Sequence, residues 1–173
     1  YSHLETIGPR FGYLPNESKT VLVVPERLLE QASMFFLAQG WHFVVQTGAR
    51  YLGGFIGDQG LREDFIKKKV LDITASLEKL AIVAKYNKPH AAFTGVSKCI
   101  VPRWTYCQRV VKGCDSLYSS IETCISEVFL PALFGCPLSE IPSDAMAIRD
   151  LTSLPVKYCG LALPNPDRKS TRL

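Results

Sequence analysis

Long apolar runs are missing from this 173-residue chain. None approaches the roughly 20 residues that a membrane-spanning helix needs, and residues 1–10 lack a signal-peptide pattern. We therefore expect no membrane partner and an intracellular protein, cytoplasmic or nuclear. Low-complexity segments are also missing, and a hydrophobic content of 47% is enough for a packed core.

Metal-binding patterns are missing as well. The six cysteines include no Cys-x-x-Cys pair, and the three histidines lie apart from them, so we predict no metal site. A chain of this length does not need a disulfide framework. We expect the thiols to be reduced and mostly buried. They are Cys99, Cys107, Cys114, Cys124, Cys136 and Cys159.

The first 57 residues predict a small antiparallel sheet element made of a strand, a helix and a hairpin. A cluster of turn-forming residues precedes the apolar run Val21–Val24, which predicts a short, buried strand. The helix is expected to begin at Pro25 and to end at Gly40. Two β-rich runs follow, Trp41–Gln46 and Arg50–Ile56, and their spacing predicts that they pair as the hairpin.

Residues 58–135 predict three helices. In the first, after Asp58, apolar residues recur in steps of four and three. They are Ile66, Val70, Ile73, Leu77, Leu80 and Ala84. A second helix is expected from Pro89 to about Ile100, with Pro102 interrupting the chain after it.

The third predicted helix covers Asp115–Phe134. On one side it carries Leu117, Ile121, Ile125 and Val128. Residues 136–173 predict a C-terminal helix with Ser143 or Asp144 as its N-cap, and Tyr158–Leu163 as an edge strand. The predicted fold class is therefore α+β, with the small sheet element followed by a mostly helical bundle.

Positive charge is concentrated in the middle of the chain. Residues 61–112 hold eleven Lys or Arg against four acids. Basic side chains along a helix can follow the phosphates of a nucleic acid, and a neighbouring aromatic ring can stack on bases. The candidate binding residues are Lys67, Lys68, Lys69, Arg103, Trp104 and Arg109. The alternative is a solvated lysine face with the aromatic rings in the core.

Two stretches, Gly12–Val24 and Gly48–Gly57, are similar to motifs of a known family. The first resembles the last strand motif of the palm of retroelement reverse transcriptases, and the second resembles their primer-grip hairpin. The similarity continues in the same order through Pro89–Phe93, Arg103–Tyr106, Phe129–Leu133 and Leu154–Leu161. The chain thus resembles the C-terminal part of the palm plus the helical thumb of an RNA-directed DNA polymerase.

The resemblance implies roles for several residues. Lys19 would lie near the phosphates of the incoming nucleotide as an auxiliary catalytic group. Leu52, Gly53 and Gly54 would place the primer terminus, and the adjacent glycines also predict a bulge or a close backbone approach. The partners would be an RNA/DNA template-primer and the remaining palm and fingers.

Nucleotidyl transfer in this family needs palm carboxylates that hold Mg²⁺. No Asp-Asp pair occurs in this sequence. We therefore expect Mg²⁺ in the parent polymerase, no cofactor in this segment, and no polymerase activity from the segment alone. Because the chain begins at Tyr1, we expect a piece of a longer protein, whose isolated palm sheet would expose an edge and dimerise or aggregate.

The sequence departs from the family near its end. The family has Gly-Gly-Leu-Gly where this chain has Cys159-Gly160-Leu161-Ala162, which puts close backbone packing there in question. Two other functions stay open. One is a non-catalytic nucleic-acid-binding or scaffold module derived from a degenerate element, and the other is a helical protein-interaction domain.

Overall fold

The computed structural model describes residues 1–140 and 145–167. Most of these residues are helical, and the strands form two short pairs. The predicted α+β class is confirmed. The chain divides into two compact units at the junction of Leu61 and Arg62, and each unit is described by itself.

The first unit holds all of the strands among the described residues. Its helices are α1 (Ser2–Ile7) and α2 (Leu29–Ala38), and its strands are β1 (Val21–Val23), β2 (Val44–Gln46), β3 (Gly48–Tyr51) and β4 (Gly54–Gly57). Short 3₁₀ turns cover Gly8–Phe11, Glu17–Lys19 and Glu26–Leu28.

The strands pair differently from the sequence prediction. β1 pairs with β2 in parallel, with Leu22 opposite Val45, because α2 carries the chain back to the starting edge as in any strand–helix–strand crossover. The hairpin is formed by β3 and β4, with Tyr51 opposite Gly54. The prediction that Trp41–Gln46 pairs with Arg50–Ile56 was therefore wrong. Thr47 alone separates β2 from β3, which is too short a link for a hairpin turn.

The first unit buries little apolar surface. β1 is only half-buried, and 43% of Val21 is exposed, so the prediction of a buried strand was wrong. The side-chain cluster of this unit is aromatic. Tyr1, Phe36, Trp41 and Phe43 pack with ring centroids 4.8–6.0 Å apart. Because four short strands and two short helices cannot enclose more, several large apolar side chains remain at the surface.

The second unit is helical in its described part. Most of the long helix α3 (Gln59–Lys85) belongs to it, followed by α4 (Pro89–Gly95), α5 (Val101–Val110), α6 (Ser119–Cys124), α7 (Leu130–Phe134) and α8 (Ala145–Ser153). Short 3₁₀ turns cover Asp115–Tyr118, Leu138–Glu140 and Val156–Tyr158. The predicted N-cap at Ser143 or Asp144 lies outside the described residues.

The apolar stripe predicted for α3 faces the core. Ile66, Ile73 and Leu77 are almost completely buried, and Leu80 is partly buried beside them. Asp58 precedes the helix, and its Oδ2 accepts a hydrogen bond of 2.8 Å from the Gly60 amide. This contact satisfies one of the free amides at the helix start.

Two prolines lie inside continuous helices, each just after a π-helical turn. The turns Val96–Ile100 and Ile125–Phe129 join α4 to α5 and α6 to α7. In each case the residue before the proline donates its amide to the carbonyl five residues earlier. This wider turn accommodates a ring that would otherwise break the helix. The prediction that Pro102 interrupts the chain was therefore wrong.

The second π-turn also changes which residues face the core. It adds one residue to the helical repeat, so Phe129 follows Ile121 and Ile125 into the interior. Val128 was predicted for that side, but 38% of it is exposed.

The segment after α8 folds back onto the end of that helix. The amides of Leu161 and Leu163 both donate to the Thr152 carbonyl, at 3.2 and 3.1 Å. The amide of Ala162 donates to the Leu154 carbonyl at 2.8 Å. These bonds close a compact loop, so the prediction of an edge strand over Tyr158–Leu163 was wrong.

Candidate nucleic-acid interface

Lys19 is exposed in a tight turn that leads into β1. Asn16 organises this turn through its side-chain oxygen, which accepts the Ser18 hydroxyl at 2.8 Å and the Lys19 amide at 3.2 Å. Its carbonyl also accepts the Thr20 hydroxyl at 2.8 Å. Because three donors converge on one residue, the backbone that carries Lys19 is held in one conformation.

Glu17 ties the same turn to the chain that enters β2. Its Oε1 accepts the His42 amide at 2.8 Å, and its Oε2 lies 4.0 Å from His42 Nδ1. The Lys19 turn is therefore stabilised within the segment that leads into β1 and is also bonded to the segment that leads into β2.

The hairpin tip places Leu52 in a strained conformation. The two loop residues, Leu52 and Gly53, have φ values of 46° and 81°, as a type I′ turn requires. Such turns favour Asn or Gly at both positions because a side chain with a Cβ is disfavoured at positive φ. The Leu52 side chain is nevertheless 76% exposed, so burial in a core does not explain why a leucine occupies this position.

The other predicted primer-grip residues have distinct places in this hairpin. Gly53 completes the turn, whereas Gly54 is buried at the start of β4. The ladder is regular from Gly48 opposite Gly57 to Tyr51 opposite Gly54. The predicted bulge is absent from this hairpin because both glycines are used by the turn and the first strand pair.

Arg103 on α5 contacts α3 through Ser76. Arg103 Nη1 lies 3.4 Å from Ser76 Oγ. Burial raises the pKa of the Cys107 thiol, and the positive charges of Lys69 and Arg103 oppose that rise. Lys69 on α3 and Arg103 on α5 thus both add positive charge around this thiol.

The remaining lysines of the cluster lie on the outer side of α3. Lys67 and Lys68 are exposed, and Lys67 Nζ is 3.4 Å from Asp64 Oδ1 in a surface ion pair. Lys69 is half-buried, with its Nζ 5.7 Å from the centre of the Phe65 ring. A surface pair of this kind is weak, so Lys67 remains able to contact a phosphate.

Two other residues predicted to contact nucleic acid, Arg109 and Trp104, occupy different positions from Lys69 and Arg103. Arg109 is exposed, but it lies six residues after Arg103, about 240° further around α5. Trp104 is completely buried, so the prediction that it stacks on bases was wrong. Its spacing from Ile100 and Cys107, at four and three residues, is that of a core position.

Three of the six thiols are buried, namely Cys107, Cys114 and Cys124, whereas Cys99 and Cys159 are exposed and Cys136 is intermediate. All six are free. The expectation of reduced thiols thus agrees with the structure, but only half of them are buried.

The part of the chain that the structure describes contains neither a cluster of metal ligands nor a membrane-spanning helix. Within residues 1–140 and 145–167, no three His, Cys, Asp or Glu side chains come together as metal ligands. Over the same residues, no helix combines the length and the apolar character that crossing a membrane requires.

Sequence reasoning missed the polar contacts that fix the end of the second unit. Arg149 is 7% exposed and binds both carboxylate oxygens of Glu122, at 2.6 and 2.7 Å. These residues lie 27 positions apart, and no spacing rule connects them. The exposed apolar residues Leu71, Ile82 and Tyr86 of the α3 region were also missed, although they are 54–77% exposed.

No protein-family model, curated protein or solved structure matched this chain in the comparisons made with each.

Proposed function

We propose that this chain is the end of the palm and the thumb of a retroelement reverse transcriptase, and that it positions the primer and grips the template-primer. The observation that carries the proposal is the strained, exposed Leu52 at the tip of a regular hairpin. A non-glycine residue held at positive φ in an exposed turn favours a functional role over a purely structural one.

The hairpin tip suits contact with another backbone. Gly53 has no side chain, and Leu52 offers a single apolar surface above it. A sugar of a primer terminus can pack on such a surface while its phosphate passes over the glycine. Lys19 lies in the same unit and would supply positive charge to phosphate groups, since phosphoryl transfer depends on charge stabilisation.

The basic surface of the second unit supports the same function. Lys67 and Lys68 are exposed on α3, and the charges of Lys69 on α3 and Arg103 on α5 both act on the Cys107 thiol. Charges arranged on two adjacent helices can follow a phosphate backbone with little dependence on sequence. Arg109 would add a separate contact.

The loop after α8 also supports the resemblance. Cys159 and Ala162 replace glycines of the family pattern, and they have φ values of 61° and 52°. Glycine is the residue that adopts this region most easily. A Cβ at Gly160 would collide with the Leu154 carbonyl, and this close backbone packing is what the family pattern of glycines would serve.

The proposed chemistry belongs to the longer polymerase. Its Asp carboxylates would hold Mg²⁺, and this segment would add no cofactor and no activity by itself. Acting on an RNA/DNA hybrid, the protein would work in the cytoplasm or nucleus. The degenerate, non-catalytic module remains the alternative within the same class, and an aromatic-x-Asp-Asp motif encoded upstream would distinguish the two.

The decisive experiment measures binding to a labelled RNA/DNA primer-template over a salt series. The test variant is Lys67→Glu/Lys68→Glu/Lys69→Glu. For the native chain we expect affinity to fall steeply with salt. The variant should bind at least about tenfold more weakly at low salt, with a salt slope lower by roughly two to three.

A matched control separates this site from net charge. Lys79→Glu/Lys85→Glu/Lys88→Glu changes the charge equally, but its central residue lies about 25 Å further along α3. It should retain most of the affinity. An equal loss of affinity in both variants would show that binding depends on net charge and not on this site. If the native chain does not bind at low salt, the proposal is overturned.

A helical protein-interaction domain is the second candidate, and one observation favours it. Leu71, Ile82 and Tyr86 expose apolar surface along α3 and its end. A protein partner held by these residues would give binding that Leu71→Ser/Ile82→Ser abolishes and that salt barely affects. Primer-template binding should show the opposite dependence.

A further inference from the structure

The outer edge of β1 is an unpaired strand edge. Within the described residues, β2 is the one strand that is hydrogen-bonded to it. The Val44 amide donates to the Thr20 carbonyl and the Val24 amide donates to the Gln46 carbonyl, both at 3.0 Å. In a parallel ladder with this register, Thr20, Leu22 and Val24 direct their main-chain groups toward β2.

Val21 and Val23 therefore direct their amides and carbonyls away from β2. Together they offer two donors and two acceptors along one edge. Within the strand, the residues Val21, Leu22 and Val23 include no charge, proline or bulge, so its short length is its main protection against pairing. Val21 is 43% exposed.

We propose that the occupant of this edge is a second copy of the chain, joined by an antiparallel β1–β1 contact about a two-fold axis at Leu22. In this arrangement Val21 of each copy faces Val23 of the other, and each facing pair exchanges two hydrogen bonds. All four outward groups on each strand are thereby satisfied. Leu22 faces its own equivalent across the axis, in the closely spaced, non-hydrogen-bonded position.

Self-pairing is favoured over a foreign strand because the edge is complementary to itself. Lys19 lies before one end of β1 and Glu26 lies beyond the other. An antiparallel pair brings Lys19 of one copy to the same end as Glu26 of the other, so opposite charges meet at both ends. A parallel arrangement would bring like charges together instead. The two-fold contact is also closed, so it yields a dimer and not a fibre.

The inference concerns the sheet of the first unit in this chain. Under the proposed function, the remaining palm of the longer polymerase would compete with a second copy for the same edge. The dimer would also cover part of the exposed apolar surface around β1. The edge of a three-residue strand is short, so we expect a reversible dimer whose population rises with concentration.

Charged substitutions of Leu22, the residue on the two-fold axis, test the geometry of the proposed dimer. In sedimentation, the 19.2 kDa chain should show a concentration-dependent species of twice its mass. Leu22→Lys should self-associate roughly tenfold more weakly or worse because the new charges face each other, and so should Leu22→Glu. An equimolar mixture of the two variants should recover the dimer, which a merely misfolded variant cannot do.

A second measurement uses the native protein alone. The amides of Val21 and Val23 should exchange with deuterium more slowly as concentration rises, whereas the amides of Val24 and Val44, already bonded within the chain, should not change. A monomer at all concentrations would overturn the proposal. A dimer would overturn it too if both charged variants keep it, if mixing folded variants fails to recover it, or if the Val21 amide is unaffected.

Discussion

Arg149 and Glu122 form a two-pronged ion pair that closes the C-terminal segment onto α6. Arg149 Nε lies 2.6 Å from Oε1 and Nη2 lies 2.7 Å from Oε2 of the carboxylate. The other guanidinium hydrogens reach the Thr152 hydroxyl and the carbonyls of Leu163 and Pro164. All five donors of one arginine are used, so a single side chain fixes α8, its following loop and α6 together.

Removing this guanidinium should strongly destabilise the second unit. Arg149→Met leaves the Glu122 carboxylate without its partner in a largely buried position, which typically costs about 3–5 kcal/mol. Arg149→Lys should also lose stability, because an ammonium group cannot reach the same five acceptors. Urea denaturation followed by circular dichroism gives the free energy of unfolding.

A double variant tests whether the ion pair causes this stabilisation. Arg149→Met/Glu122→Leu removes both charges and should recover a substantial part of the loss. If the double variant is no more stable than Arg149→Met, the carbonyl contacts and not the ion pair account for the stabilisation.

Glycine should stabilise the loop after α8 at two positions. Cys159 and Ala162 both have positive φ values, which cost a residue with a Cβ about 1–2 kcal/mol. Ala162→Gly and Cys159→Gly remove that cost, although part of it returns as entropy of the unfolded chain. We expect a gain of about 0.5–1 kcal/mol at each position, measured by urea denaturation.

Ala147→Gly is the matched control for this prediction. Ala147 is exposed inside α8, where glycine should cost about 1 kcal/mol. The two alanines should thus respond with opposite signs. A loss at Ala162 equal to the loss at Ala147 would contradict the left-handed conformation.

The long helices were predictable because their signal is local. The stripe of α3 needs only the spacing of apolar residues, and Ile66, Ile73 and Leu77 are buried as that spacing predicts. Trp104 was equally predictable from Ile100 and Cys107. The wrong prediction that it stacks on bases followed from its neighbour Arg103 and not from the helical period.

The remaining errors concern features that no local pattern encodes. The parallel pairing of β1 and β2 depends on where α2 returns the chain, and Thr47 is a single-residue link between two strands. The π-turns before Pro102 and Pro131 shift the core face by one residue. In the candidate site, Lys19 and the hairpin tip are predictions from motifs, whereas the positive φ of Leu52 is seen only in the backbone geometry.

Stability should fall at alkaline pH because of Cys124. Burial raises the pKa of this thiol from 9.0 to about 11, and the Glu78 carboxylate adds to the rise. Below pH 9 the thiol is neutral in both the folded and the unfolded states, so its contribution is fully present. Between pH 9 and 11 the unfolded chain loses the proton first, and the free energy of unfolding decreases by about 2–3 kcal/mol.

Cys124→Ala provides the comparison. It removes the titrating group but leaves the other buried thiols, so the stability difference between the native chain and the variant should shrink as pH rises from 8.5 to 11. Parallel curves over that range would show that Cys124 does not titrate differently on unfolding.

Leu52→Asn should separate stability from binding. Asparagine tolerates the left-handed conformation at the first loop position of a type I′ turn, so the hairpin should gain about 0.5–1 kcal/mol. The same change removes the exposed apolar tip, and primer-template affinity should fall about tenfold, as expected for a lost contact worth 1–2 kcal/mol. Thermal denaturation and fluorescence anisotropy measure the two effects on one sample.

Leu14→Asn is the control, because Leu14 has the same 76% exposure as Leu52 and lies outside the hairpin. It should leave both measurements nearly unchanged. A Leu52→Asn variant that is more stable and binds as tightly as the native chain would show that the strained tip does not touch the primer. Opposite changes in stability and affinity at Leu52 alone would indicate that the strain is maintained for binding.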